Sequence, residues 1–123
     1  MTSTQITAHF TYAEFACRCC SDVDMDVDFV SRLEAARVIA GTAFKITSGW
    51  RCPGHNKRVG GVGTSAHLVG KAADISANGS VERFAILQAL IAAGFTRIGV
   101  AKSYIHADTD ETKPAGVLWD YYG

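Results

Sequence analysis

Ser65-Ala66-His67-Leu68-Val69-Gly70-Lys71-Ala72-Ala73-Asp74-Ile75-Ser76 runs from a glycine-rich loop into a short apolar segment. That passage organises the rest of the chain. Upstream of it, Pro53, Gly54, Gly60, Gly61, Gly63 and Gly70, with Gly49 just before, are too many breakers for a long helix between Arg51 and Gly70. At most, His55–Val59 forms a turn or two. Downstream, Ala72–Ser76 reads as a buried strand, and Asn78, Gly79 and Ser80 supply a turn and an N-cap. A helix is predicted over Val81–Ala93, stopped by Gly94, with Phe84, Leu87, Leu90 and Ile91 facing inward. Arg97–Val100 and Tyr104–Ala107 then read as a hairpin turning at Ala101–Ser103.

Working back toward the start, Phe44–Ser48 alternates apolar and polar residues and reads as a strand that delivers Gly49 and the loop beyond it. Val27–Ala40 carries Phe29, Leu33, Ala36 and Ala40 at helical spacing, with Gly41 as its stop. Thr11 followed by Glu14 has the capping-box pattern, and Phe10 with Phe15 forms a candidate hydrophobic staple, so a short helix should start at Tyr12. The aromatic tail ending in Trp119–Gly123 is expected to pack back on the domain. The fold class is α+β: a small antiparallel sheet with flanking helices, in one domain over residues 1–123.

The 123 residues suffice for one core that buries roughly two-thirds of the unfolded surface. Twelve basic residues balance twelve acidic ones, so no general positive field gathers nucleic acid or an anionic membrane surface. No apolar run approaches the length of a membrane span, and Met1–Phe10 lacks the features of an export signal. Cytoplasmic synthesis is the expectation, and so is a monomer. Asp24, Asp26 and Asp28 lack the glycine and terminal glutamate of a calcium loop and read as a solvated helix-start cluster. Cys17, Cys19, Cys20 and Cys52 leave three readings open: free thiols, one bridge from Cys52 to the cluster, or a second zinc site, although the spacing is not that of a zinc finger.

His67 and Asp74, with Tyr104-Ile105-His106-Ala107-Asp108 about thirty residues later, supply two imidazoles and two carboxylates. Imidazole nitrogen and carboxylate oxygen suit zinc, and three protein ligands with an open position make a catalytic rather than a structural site. The same two-histidine, one-carboxylate set also serves iron, but nothing marks a cosubstrate site for an oxygen-using enzyme. Residues two apart on a strand share a face, so His106 and Asp108 should point the same way.

Ile46-Thr47-Ser48-Gly49-Trp50-Arg51-Cys52-Pro53-Gly54-His55-Asn56, the Ser65–Asp74 run and Ile105-His106-Ala107-Asp108 together resemble the zinc D-Ala-D-Ala carboxypeptidase family. That family groups with phage endolysin peptidases, lysostaphin-type enzymes and the hedgehog signalling domain. The likeness extends upstream through Phe10–Cys20 and so covers most of the chain. It implies zinc held by His67, Asp74 and His106. It also implies that Arg51 contacts substrate and stabilises a developing oxyanion, and that Ser65 lies beside substrate, although a serine there can equally be a cap hydroxyl. Many members carry Asp or Glu three residues before the last histidine, where this chain has Ser103, which cannot serve as general base. A His-x-Asp subgroup makes Asp108 the candidate base, with an equal alternative as the carboxylate that orients a ligand histidine. His55 is a weaker base candidate, and Trp50 suits either the cleft or the core. The resemblance implies a zinc peptidase cutting peptidoglycan stem peptides or cross-links at the bacterial cell wall, endolysin-like or prophage-encoded. Its rival is a zinc-binding module without catalysis, such as a phage particle component.

Overall fold

The computed structural model describes residues 4–121. The ends of the two termini discussed above, Met1–Ser3 and Tyr122–Gly123, lie outside the described residues. The chain opens with a 3-10 turn, Tyr12–Phe15, where the Glu14 carboxylate accepts the Thr11 backbone N–H at 2.7 Å. The Phe10 and Phe15 rings meet at 5.5 Å as the staple requires. Helix α1 (Val27–Ala40) follows, capped by the Asp26 carboxylate on the Phe29 N–H and ended by Gly41 at φ 68°. The acidic run thus serves the helix start. Strand β1 (Ile46–Ser48), helix α2 (Pro53–Arg58), a second 3-10 turn (Ala66–Val69), strand β2 (Ala72–Ser76) and helix α3 (Ser80–Ala92) come next. Strands β3 (Arg97–Val100), β4 (Tyr104–Asp108) and β5 (Val117–Asp120) complete one five-stranded sheet in the order β1-β2-β4-β3-β5.

The first four strands in that order pair antiparallel, as expected of the fold class. The tail also returns to the domain, but as a strand that runs parallel to β3 along the sheet edge. Nothing in a four-residue apolar run specifies direction, because strand orientation is decided by the connection that delivers it.

Alternation along β2 and β4 divides the molecule. Ala73, Ile75, Ile105 and Ala107 face the helices and join Phe29, Val30 and Leu33 of α1 and Ile86 and Leu90 of α3 in the core. Asp74, His106 and Asp108 therefore emerge on the opposite face. The α1 prediction holds at Phe29, Leu33 and Ala36, while Ala40 is only partly buried. For α3 the inward face is corrected in part: Leu90 is buried and Leu87 packs against the core as expected, joined by Ile86 and Ala89, whereas Phe84 is 67% exposed and Ile91 58%. The helix is turned by roughly one residue position, ~100°, from the expected face. It is apolar nearly all round, so periodicity alone could not fix which stripe meets α1. His67 also departs from expectation, since it sits in an ordered 3-10 turn rather than in open loop.

Two substitutions contrast the packed core with the outward side of α3. Phe29→Ala, which empties a fully packed site edge-on to Phe95, is expected to lower unfolding free energy by about 3–5 kcal/mol. Phe84→Ala should change it by less than ~0.5 kcal/mol, both read from urea titrations. A third concerns the N-terminal arm, which is tied to α1 by the Glu34 carboxylate on the His9 backbone and ring. Burial pushes the Glu34 carboxyl up, but His9 outweighs it and holds the group below its usual range. Because the folded value is depressed, the contribution is present above about pH 4.3 and is lost as pH falls through the folded value. Glu34→Gln should accordingly cost about 0.5–1 kcal/mol at neutral pH, with the difference vanishing in acid.

Candidate metal centre

Asp74 and His106 are directly opposed partners on the adjacent central strands β2 and β4, which brings their side chains together on one face. His67 reaches them from the 3-10 turn that precedes β2. Ser65 caps that turn, its hydroxyl accepting the His67 N–H at 3.3 Å, and Gly70 closes it at φ 71°. Only glycine serves at position 70, since a Cβ there would collide with the Asp24 carbonyl as well as strain the left-handed backbone. The Gly70 carbonyl accepts the Asp26 N–H at 3.0 Å, so the turn is anchored to the start of α1.

The three side chains are nearly sealed from solvent: His67 is 3% exposed, Asp74 8% and His106 8%. His67 Nε2 lies 3.4 Å from Asp74 Oδ1, and His106 Nδ1 lies 3.0 Å from the same oxygen. Each imidazole has its other nitrogen engaged. His67 Nδ1 donates to the Gly49 carbonyl at 2.7 Å, and His106 Nε2 donates to Asp108 Oδ2 at 2.7 Å. The Gly49 carbonyl can only accept, so His67 Nε2 is left as the inward lone pair, while His106 has a carboxylate at each nitrogen and turns Nδ1 toward the same Asp74 oxygen. One ligand atom from each of the three residues lies within 4.8 Å of the others. Three electron-rich atoms gathered in a buried space repel one another unless a cation stands among them. A histidine whose second nitrogen donates to a carbonyl or carboxylate is the usual arrangement of a metal ligand. The donor set therefore fits a divalent metal. Without an ion, protons must take its place: burial lowers the proton affinity of His106, but Asp108 and Asp74 more than reverse this and hold it above the ordinary value. Burial pushes Asp74 up, yet His106 and His67 bring its carboxyl well below the usual carboxylate range.

Asp108 is occupied on both oxygens. Oδ2 holds His106, while Oδ1 accepts Arg97 Nε at 2.7 Å and the Asp110 N–H at 3.1 Å. Burial raises its pKa, and His106 and Arg97 bring it below the ordinary range.

Arg51 enters from the end of the segment after β1. Its Nη2 lies 3.5 Å from Asp74 Oδ2, and its other nitrogens donate to the Ser48 hydroxyl and the Asn56 carbonyl oxygen. The backbone that carries it is held by Arg51 N–H on the His67 carbonyl at 3.2 Å. Gly49 permits this approach, because a Cβ there would stand 2.6 Å from the Phe15 Cα.

These groups line a cleft of about 450 Å³ that holds Arg51, Ser65, His67, Asp74, His106 and Asp108 on one wall system. Trp50 and His55 do not line it. Trp50 donates to the Leu68 carbonyl at 3.0 Å and packs on the core, and His55 lies within α2. Ser103, in the β3–β4 turn, also stands outside the cleft. The lining residues that escaped the sequence reading include Arg97, Tyr104, Lys113, Trp119 and Tyr121. Arg97 was within reach, since Ile98 pairs with Ala107 and the next step along the ladder sets Arg97 opposite Asp108. Tyr104 shares the face of His106 by simple alternation. Trp119 had no such signal. It arrives on β5 beside Gly99, where a Cβ would strike its indole, and so leans across to the His106 ring at 5.5 Å and the Arg97 guanidinium at 5.2 Å.

The strand-borne Asp74 and His106, the turn-borne His67 and the cleft above them have a counterpart among known families. A search of curated proteins found no match. Residues 8–108, a span that includes every one of these side chains, match the family described as Peptidase M15. The extent of that match and the buried metal-capable triad it contains place this chain in the M15 family of zinc D-Ala-D-Ala carboxypeptidase-like peptidases.

Proposed function

We propose that this peptidase hydrolyses peptide bonds in bacterial peptidoglycan, in stem peptides or their cross-links, with zinc as its ion. The observation that carries the reading is the convergence of His67 Nε2, Asp74 Oδ1 and His106 Nδ1, buried at a cleft wide enough for a peptide. Zinc bound by that set supplies Lewis-acid chemistry: it makes water a usable nucleophile near neutral pH and polarises a scissile carbonyl. The protein's own groups do the rest. Arg51 offers a permanent charge with several donors to a substrate carboxylate or to the oxyanion that develops on hydrolysis. Ser65, already the cap of the His67 turn, also lines the cleft, where its hydroxyl would meet a bound substrate.

For Asp108 the contacts favour the orienting role over the basic one. Three donors already sit on this carboxylate, His106 on one oxygen and Arg97 with the Asp110 N–H on the other, and they hold it ionised and directed at His106 rather than at water. Its work is to fix the ring angle and tautomer of His106 and to strengthen that nitrogen as a donor. The same observation sustains a second reading. Among the described residues Asp74 and Asp108 are the only carboxylates that line the cleft, and a weakly active or inactive metal-binding module is the rival. The expected soluble peptidase acting at the wall as a monomer is part of the proposal. Among the described residues no helix is long and apolar enough to cross a membrane.

Peptide release from purified peptidoglycan should be abolished by a chelator and restored by added zinc. Tight zinc binding with no release of peptides would instead support the inactive module. Arg51→Ala should lower kcat/KM by about 10²–10³-fold with bound metal unchanged, and Arg51→Lys should not restore it. Asp108→Asn should weaken metal affinity by about 10–100-fold. If that variant kept full metal affinity and lost only turnover, Asp108 would be the base after all. Mass spectrometry of fragments from defined muropeptides identifies the bond that is cut.

A further inference from the structure

The four cysteines come from two parts of the chain, Cys17, Cys19 and Cys20 before α1 and Cys52 directly after Arg51, and gather at one place outside the cleft. None is in a disulfide. Cys17 and Cys19 sulfurs are 3.6 Å apart, Cys17 and Cys52 3.7 Å, and Cys19 and Cys52 3.4 Å. All four sulfurs lie within 4.8 Å of one another. A disulfide needs about 2.05 Å and joins only two of the four. A tetrahedron of sulfurs at about 2.3 Å from a central zinc has edges of about 3.8 Å, close to the three separations here. Iron–sulfur clusters interpose several metals and sulfides between their cysteines and hold them farther apart than a single ion does. We propose that Cys17, Cys19, Cys20 and Cys52 bind one structural zinc ion, distinct from the ion at the cleft.

The local backbone is built for it. The three-cysteine segment is wound into one tight turn, with Ser21 N–H on the Cys17 carbonyl at 2.9 Å and Cys17 N–H on the Asp22 carbonyl at 2.7 Å. That turn forces Ser21 to φ 64°, a left-handed conformation that a serine seldom adopts and that surrounding constraints must hold. The irregular spacing Cys-x-Cys-Cys is thereby folded so that neighbouring sulfurs face one point. Cys52 caps α2, its sulfur accepting the His55 N–H at 3.4 Å, which suits a thiolate. Cys19 and Cys20 are exposed, so an ion has a route in. Such an ion clamps the N-terminal arm to the segment that carries Arg51, reinforcing the Trp50 N–H bond to the Phe15 carbonyl at 2.8 Å and the Arg18 guanidinium on the Ile46 carbonyl at 3.0 Å.

The test counts bound zinc by plasma mass spectrometry in the full chain and in two variants, His67→Ala/His106→Ala and Cys19→Ser/Cys20→Ser, each checked for folding by circular dichroism. With both sites real, the wild type holds two ions and each variant one, following the two candidate groups. If only the cysteine site is real, the wild type and the histidine variant hold one ion each and the cysteine variant none. If only the cleft site is real, the histidine variant holds none, and the proposal fails while the functional reading survives. Cobalt added to the histidine variant should give an intense near-ultraviolet thiolate-to-metal band that is absent from the cysteine variant. That readout stands even if the cysteine variant is unstable. Four freely reactive thiols in the zinc-loaded histidine variant, a mass deficit of two hydrogens from a disulfide, or a red iron tetrathiolate in the purified protein would each overturn the assignment.

Discussion

Three potential ligand atoms drawn together in a buried space are the constraint on which the rest of this structure depends. His67 Nε2, His106 Nδ1 and Asp74 Oδ1 stand against one another while the far nitrogens of the two rings are engaged by Gly49 and Asp108. Such a group is stable only when positive charge stands among its members, as protons on the inward nitrogens or as a cation that takes their place. The hydrogen bonds behind the ligands hold the rings at an angle that a cation can use, so they carry as much information as the ligands do.

The sheet turns that constraint into a position. β2 and β4 lie next to each other near the middle of the order, and each spends one face on the core and the other on the site. Ala73 and Ile75 hold β2 against the helices, which leaves Asp74 no freedom to slide: a slip of one residue would bury the carboxylate among apolar side chains and expose the alanines. His106 is fixed in the same way between Ile105 and Ala107. Two of the three ligands thus have their places set by the hydrophobic effect. The third has its place set by a turn that depends on Gly70 and on its contact with the backbone at Asp24 and Asp26.

What could be read from the chain alone follows the same division. β2 and the hairpin of β3 and β4 were legible as short apolar runs bounded by turn residues, and α1 because Phe29, Leu33 and Ala36 recur at helical spacing before the Gly41 stop, even though Val27, Val38 and Ile39 face solvent. The ligand residues were legible as chemistry, since His67, Asp74 and His106 are the right donors, and the resemblance then grouped them. α3 failed at Phe84 and Ile91 because Glu82, Arg83 and Gln88 are scattered around an otherwise apolar helix, so no single stripe stands out until a partner chooses one. Trp119 and Tyr121 failed because the direction and register of β5 depend on a loop whose course no local pattern encodes. Arg97 failed for a lesser reason: the ladder that sets it against Asp108 was implied by the hairpin but not counted through.

The pairing of Arg97 with Asp108 bears on how charge is distributed over the cleft. Arg97 Nε and Asp108 Oδ1 at 2.7 Å nearly cancel, with both side chains largely buried. Arg51 is different. Its contact with Asp74 is long, at 3.5 Å, and Asp74 directs its other oxygen toward the two histidines. Once a divalent ion shares that carboxylate, little of the negative charge is left to neutralise Arg51, and the guanidinium keeps an unspent positive charge at the cleft. The hydrogen bonds to Ser48 and Asn56 hold it in place without reducing that charge, because both partners are neutral. A preorganised cation beside a Lewis acid favours negative charge that is present in the substrate or that develops as a carbonyl is attacked. The strand pairing that neutralises one arginine and the ligand geometry that frees the other therefore act together, and the asymmetry between Arg97 and Arg51 is what gives the cleft its polarity.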